Sequence, residues 1–241
     1  MRSRSVSALC VAAVLALAGA RAVFAQYGHP PEAPGSTKIT AQLVRTGLYK
    51  ITGGGSNSLL RLSANGLILV DGKLAGNYEA LLKQVRKIVD QPVRALVLTS
   101  DSEDRTGNNA KFLAAGTQII AQRNLMHLTS PTVRYDRAYT LRLGGVEARL
   151  LHFGSAHTNG DTVVYFPNLR VVALGDLYGA TPEPDLSAGG SLAGWSAALA
   201  QLLKLDFDIV APSTGPLATR ADLEAFKARI DKLVSREAAT K

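Results

Sequence analysis

The stretch Leu98-Thr99-Ser100-Asp101-Ser102-Glu103-Asp104-Arg105-Thr106-Gly107-Asn108 follows an apolar, β-type run from Val93 to Leu98. It leads into a helical run from Asn109 to Ala115. A strand that ends in a polar, turn-rich loop and continues as a helix is where α/β proteins place their chemistry. The fold reading grows outward from this loop.

On its amino-terminal side, Tyr78, Leu81, Leu82, Val85, Ile88 and Val89 recur at helical spacing and predict an amphipathic helix over residues 75–90. Before that helix come two short strands around Gly47, a strand over 57–62, an Asn65-Gly66 hairpin signal and a buried strand over 67–70. Gly53-Gly54-Gly55 does not read as a phosphate loop, because no Gly-Lys-Ser/Thr ending is present and a strand follows it. On the carboxy-terminal side Gly116 stops the helix, a strand covers 117–121, and a short helical connection is expected over 124–129. Strands at 139–143 and 146–153 are joined by Gly144-Gly145, and strands at 162–166 and 171–174 by Pro167-Asn168. A helix over 191–203 carries Leu192, Trp195, Leu199 and Leu202 on one face. The strand 209–211 and a last helix over 219–234, opened by a Thr219-x-x-Asp222 capping pattern, complete the chain. Two halves, each β-rich first and helix-ending second, predict an α/β (α+β) fold: two mixed sheets face to face with helices on the outer faces, an αββα sandwich.

At 241 residues, 46% hydrophobic and 19% charged, the chain suffices for one large domain. Residues 1–25 have the layout of a secretory signal peptide. Arg2 and Arg4 precede an apolar run from Val6 to Ala20, with cleavage expected after Ala22 or Ala25. The run is short for a membrane span, an uncleaved anchor being the alternative, and no transmembrane segment is expected after cleavage. Residues 26–37, with Pro30, Pro31 and Pro34, read as a flexible lead-in, 38–236 as the domain and 237–241 as a tail. The expected location is therefore periplasmic or secreted. Cys10, the one cysteine, lies in the leader, so disulfides, thiolate zinc sites and cysteine nucleophiles are excluded from the mature chain. Losing Arg2, Arg4 and Arg21 lowers the formal charge from +8 to +5, 24 basic minus 19 acidic residues. This excess is scattered, which fits a solvated surface and no nucleic-acid partner.

The central loop resembles the metal-binding loop of the metallo-β-lactamase-fold hydrolases (the superfamily that includes the glyoxalase II-like metallo-hydrolases), which reads T-H-x-H-x-D-H-x-G. Thr99, Asp104 and Gly107 are in register, while Ser100, Ser102 and Arg105 stand at the three histidine positions. Gly154-Ser155-Ala156-His157-Thr158-Asn159-Gly160-Asp161 resembles the family's G-x-x-H-T-x-G-D, and Gly175-Asp176 its G-D. Pro212-Ser213-Thr214-Gly215-Pro216 resembles P-G-H-G-P, with Thr214 in the histidine position. The resemblance covers roughly residues 45–235. It implies that Asp104, His157 and Asp176 are the ligands kept out of seven, and that no intact dinuclear zinc centre is present. Hydroxyls are poor zinc ligands beside imidazole, and a guanidinium cannot bind a cation. A zinc ion that brings bound water from a pKa near 15.7 to about 7 contributes roughly 12 kcal/mol towards hydroxide, which one arginine does not supply.

The expectation is an exported protein with a non-catalytic or repurposed role. No cofactor is expected, and the partner is a small-molecule ligand or an envelope protein met through Ser100, Ser102, Arg105 and Thr214. Arg105 is expected to replace the metal as the local positive charge between Asp104 and Asp176. The alternative is a hydrolase of esters, thioesters, lactams or phosphodiesters. It would use one Zn, Fe or Mn ion at Asp104, His157 and Asp176, or His157 as a metal-free base for Ser100, Ser102 or water, oriented by Asp104 or Asp176. His127 and His152 read as structural, Trp195 as core packing, and Asp101 and Glu103 as solvent-facing or capping.

Overall fold

Strand β4 (Gly66–Val70) is buried along its whole length, and alternation explains how one strand serves two cores. In the computed structural model, which describes residues 38–180 and 183–240, Ile68 and Val70 face one apolar cluster. Leu67 and Leu69 face another on the opposite side of the sheet. The expected signal peptide, the whole of the lead-in and the last residue of the tail lie outside the described residues.

Two mixed sheets result. The first runs in the order β1 (Thr40–Arg45), β2 (Leu48–Thr52), β3 (Ser58–Ser63), β4, β5 (Val93–Val97), β6 (Gln118–Gln122), β7 (Val133–Tyr135). The second runs β13 (Ala218–Thr219), β12 (Ile209–Ala211), β11 (Val171–Ala173), β10 (Val163–Phe166), β9 (Val146–Leu151), β8 (Ala138–Leu143). Their inner faces meet through Leu48, Ile68, Val97 and Ile120 on one side and Leu150, Val164, Phe166 and Val171 on the other. Helices α1 (Tyr78–Arg86) and α3 (Asn109–Ala114) cover the outside of the first sheet through Leu81, Val85 and Phe112. Helices α4 (Leu192–Leu202) and α5 (Arg220–Ala239) cover the second through Trp195, Leu199, Leu223 and Ile230. This is the expected αββα sandwich.

Parallel pairing decides where the loops go. Strands β4, β5 and β6 are parallel neighbours, as are β11 and β12, so the loops after β4, β5, β11 and β12 leave at carboxyl ends of adjacent strands. Backbone bonds stitch these ends together across the sandwich. Thr162 N donates to Thr99 O (2.8 Å), and Asn57 N donates to Ser213 O (2.7 Å).

The structure departs from the expected elements in several places. Residues 124–129 form turns and no helix, because Gln122 and Arg134 side chains satisfy the local backbone; Arg134 Nη1 donates to Leu125 O at 3.0 Å. Strands β7 and β13 were not expected, being three and two residues long. Helix α1 begins only at Tyr78, after a turn in which Gly76 takes φ +85°. Helix α5 opens with the expected Thr219–Asp222 capping box but runs on to Ala239, so most of the supposed tail from 237 is helical. Helix-favouring Arg236, Glu237, Ala238 and Ala239 account for the extension.

Candidate functional site

The loop after β5 folds into a one-turn helix, α2 (Glu103–Thr106), which turns Arg105 inward. The arginine is 1% exposed, and its guanidinium is the centre of the site. Nη2 donates to Asp176 Oδ1 at 2.6 Å and Nη1 to Asp176 Oδ2 at 2.8 Å, a bidentate pair. Nη1 also lies 3.3 Å from Asp104 Oδ1 and 3.3 Å from Ser100 Oγ. On its third edge, Nε is 3.4 Å from Asp71 Oδ2. Burial works against the arginine's charge, but Asp176, Asp71 and Asp104 together outweigh it and push the guanidinium's pKa above its ordinary value. The expected convergence of Ser100, Asp104, Arg105 and Asp176 is therefore present, with the guanidinium between the two carboxylates.

Ser100 and Ser102 both reach the same carboxylate. Ser100 Oγ donates to Asp176 Oδ2 at 3.1 Å, and Ser102 Oγ does so at 3.5 Å. Close backbone packing holds the loop in place: a Cβ on Gly55, which has φ +118°, would fall 2.8 Å from Asp104 O.

Asp71 is the member that sequence reading missed. It follows β4 directly, and because β4 and β5 are parallel its N–H bonds to Val97 O at 2.9 Å. Its carboxylate accepts from Thr99 N (2.9 Å) and Thr99 Oγ1 (2.7 Å). Burial pushes the Asp71 carboxyl up to about 6, against the opposing pull of Arg105 and Thr99. The available signal was an acidic residue at the carboxyl end of an interior strand next to the central one. Lys73, fully buried, was missed too; its Nζ donates to Ile51 O (2.8 Å) and Ser56 O, and burial brings it down to about 7.

His157 belongs to a second loop, held by Asp161. That carboxylate accepts from His157 N (2.8 Å), Thr158 N (2.9 Å) and Thr158 Oγ1 (2.6 Å). Burial raises the Asp161 pKa, and these hydrogen bonds pull against it. The amino end of α4 presses on the same loop, and a Cβ on Gly194 would fall 1.9 Å from Ser155 O. The imidazole stands edge-on to Trp195 with centroids 5.9 Å apart, and its Nδ1 is 3.5 Å from Asp176 Oδ2 without a hydrogen bond. His157 and Asp176 line a pocket of about 220 Å³ together with Tyr178, Trp195, Ser213 and Thr214.

Thr214 is the expected site residue that does not join the cluster. It is exposed at the pocket edge, where its hydroxyl accepts from Ala180 N at 3.0 Å. Trp195 is core, as expected, with Nε1 donating to Leu177 O at 3.0 Å. His127, expected to be structural, is exposed and pairs with Asp101 at 3.0 Å. His152 is tied to Asp161 O at 2.8 Å.

Sheet order and the loops converging at one edge of the sandwich define an αββα protein with the architecture of the metallo-β-lactamase fold. The sequence model of the metallo-beta-lactamase superfamily matches residues 123–214 of the chain. The chain is 26% identical over 202 residues to 2,4-dinitroanisole O-demethylase subunit alpha from Nocardioides sp. (strain JS1661), covering 78% of this chain and 61% of that one. It is 24% identical over 178 residues to a metallo-beta-lactamase type 2 from Bacillus cereus, covering 68% and 69%. Among solved structures, a metallo-beta-lactamase from Pontibacter korlensis superposes with TM-score 0.73 at 19% identity, covering 80% of this chain and 99% of that one. The inverting sec-alkylsulfatase Pisa1 from Pseudomonas sp. superposes with TM-score 0.74 at 15% identity, covering 84% and 43%.

The donor set tests the fit to the family's metals. Among the described residues no group of three or more His, Cys, Asp or Glu side chains is arranged to hold an ion. Both oxygens of Asp176 are taken by a buried cation, and serines stand where imidazoles would be. The residues present do not fit a dinuclear zinc centre.

Proposed function

We propose that this is a binding protein built on a hydrolase fold, with Arg105 as a permanent internal cation where relatives would place metal. The observation that supports this most directly is the 1% exposed guanidinium, bidentate to Asp176 at 2.6 and 2.8 Å and flanked by Asp104 and Asp71. A fixed organic cation neutralises the carboxylates and folds the loop, but it has no open coordination position at which to activate water. The cleft beside it is retained, and it takes a small ligand or a protein partner in the cell envelope. This reading includes export directed by residues 1–25, which sequencing the amino terminus of the mature protein from an envelope fraction would test.

Metal analysis is the deciding experiment. Protein dialysed against zinc, iron and manganese is expected to retain well under one ion per chain, and Arg105→Ala to lose stability. A stoichiometric, tightly held ion that is lost in His157→Ala would replace this reading with a single-metal hydrolase. A second reading, His157 as a metal-free base, has one observation in its favour: an imidazole in the pocket wall with Nδ1 3.5 Å from Asp176. Against it, Ser100 and Ser102 direct their hydroxyls to Asp176. Ester or lactam turnover abolished by His157→Ala would establish it.

A further inference from the structure

The pocket beside the arginine cluster has a chemistry of its own. Three carboxylates, Asp176, Glu183 and Asp185, line its 220 Å³, with no lysine or arginine among the lining residues. Asp176 is neutralised by Arg105, but Glu183 and Asp185 stand at the rim, and hydrogen bonds from Ser187 hold Asp185 below the usual carboxylate range. One buried hydroxyl faces this space without a partner, beside a His157 imidazole whose Nδ1 is itself buried 3.5 Å from Asp176. Ser213 is 7% exposed, and its hydroxyl makes no hydrogen bond to any described residue. Tyr178, Trp195 and Phe226 supply aromatic surface on the same walls.

From this we propose that the pocket binds a small organic ammonium ion, its charge facing Glu183 and Asp185, an N–H group reaching the Ser213 hydroxyl, and its carbon skeleton against the aromatic walls. The proposal rests on the reading of Arg105 as an internal cation, which leaves the rim carboxylates as the pocket's uncompensated charge. An anion would meet the carboxylates of Glu183 and Asp185 at the rim, with no lysine or arginine among the lining residues to offset them. A metal ion lacks a ligand set among the described residues, whereas aromatic faces favour organic cations. The volume is below the ~300–1,000 Å³ of drug-sized sites, so the ligand is small. The chain's net charge of +8 opposes a cation only weakly, since exposed charges are screened beyond ~8 Å at physiological salt.

Trp195 is the only tryptophan and lines this pocket, so its fluorescence is a single-site probe of changes there. The probes are 2-phenylethylammonium, neutral 2-phenylethanol and anionic 3-phenylpropanoate, titrated into the full chain. The ammonium is expected to saturate the signal at least ~5-fold more tightly than the alcohol, and Glu183→Gln with Asp185→Asn to weaken it by about tenfold. The anion is expected not to saturate. Equal affinity for alcohol and ammonium, indifference to the double substitution, or no saturation by the ammonium up to ~20 mM overturns the proposal. A zinc titration of the same sample separates the two failures. Zinc binding would refute the role given to Arg105, whereas an inert pocket in a zinc-free protein refutes only the ammonium site.

Discussion

Two loops meet at the mouth of the sandwich, and they treat their polar groups in opposite ways. In the loop after β5, Arg105, Ser100, Ser102 and Asp104 are tied to one another and to Asp176 and Asp71, and the guanidinium is 1% exposed. In the loop at 154–161, most internal bonds run to Asp161 and fix the backbone, leaving the His157 imidazole without a hydrogen bond at Nδ1. The first loop closes around a cation that lacks a hydrogen bond only at Nε, whereas the second fixes its backbone and leaves its imidazole Nδ1 buried and unbonded. A residue's place in a family motif therefore says less about function than whether its donors are already engaged.

The sharpest way to break the comparison is to empty the first loop. Arg105→Ala leaves Asp71 and Asp176 buried or half-buried without their cation and is expected to cost about 3–5 kcal/mol in denaturant unfolding. A loss under about 1 kcal/mol would mean that the cluster is a surface feature and not the keystone of the loop.

Next in size is a pH effect confined to the closed loop. Burial raises Asp71 from 3.8 to about 6, so the neutral form is the one the fold prefers. Its contribution to stability is fully present below the unfolded value and is lost as pH rises through about 6. The shift corresponds to roughly 3 kcal/mol. Asp71→Asn removes that titration, so the variant should gain on the wild type by about this amount between pH 4 and 7. Asparagine keeps the acceptor for Thr99 N, and the Thr99 hydroxyl can turn to accept from the new amide. Parallel stability–pH curves for the two proteins would show that Asp71 is not held against its charge.

How much of this was legible in the chain depended on range. The apolar run at 67–70 and the helical spacing of Tyr78, Leu81 and Val85 reported layers directly, because each side chain's direction follows from local geometry. The two shortest strands carried no such signal; β7 follows Ser130-Pro131 and borrows its hydrogen bonds from β6. The site was legible through motif order, which placed Ser100, Asp104, Arg105 and Asp176 together. It was silent on Asp71, whose role arises from the parallel register of β4 with β5. It also placed Thr214 in the ligand set, although a bond to Ala180 N keeps that hydroxyl at the rim. Glu183 and Asp185 lie in a loop without periodicity or motif, so nothing in the sequence marked them as pocket residues.

The second loop can be broken separately. Asp161→Ala removes the acceptor that His157 N, Thr158 N and Thr158 Oγ1 share and is expected to cost on the order of 2–3 kcal/mol. It should also broaden the His157 imidazole resonances by NMR, since the backbone that aims the ring would be released. An unchanged, sharp His157 signal would place the aiming with Trp195 and not with Asp161.

The smallest effect separates the two serines that stand at histidine positions. Ser100 is 1% exposed, donates to Asp176 at 3.1 Å and accepts from Arg105 at 3.3 Å, so Ser100→Ala leaves buried partners short of a bond. Ser102 is half-buried, and its reach to Asp176 is 3.5 Å, at the limit of a hydrogen bond. The first substitution is expected to cost about 1–2 kcal/mol and the second no more than ~0.5 kcal/mol. If Ser102→Ala cost as much as Ser100→Ala, closure of the loop would extend to its rim. Ser102 would then belong to the fold, and a ligand could not recruit its hydroxyl without unfolding the turn that carries Arg105.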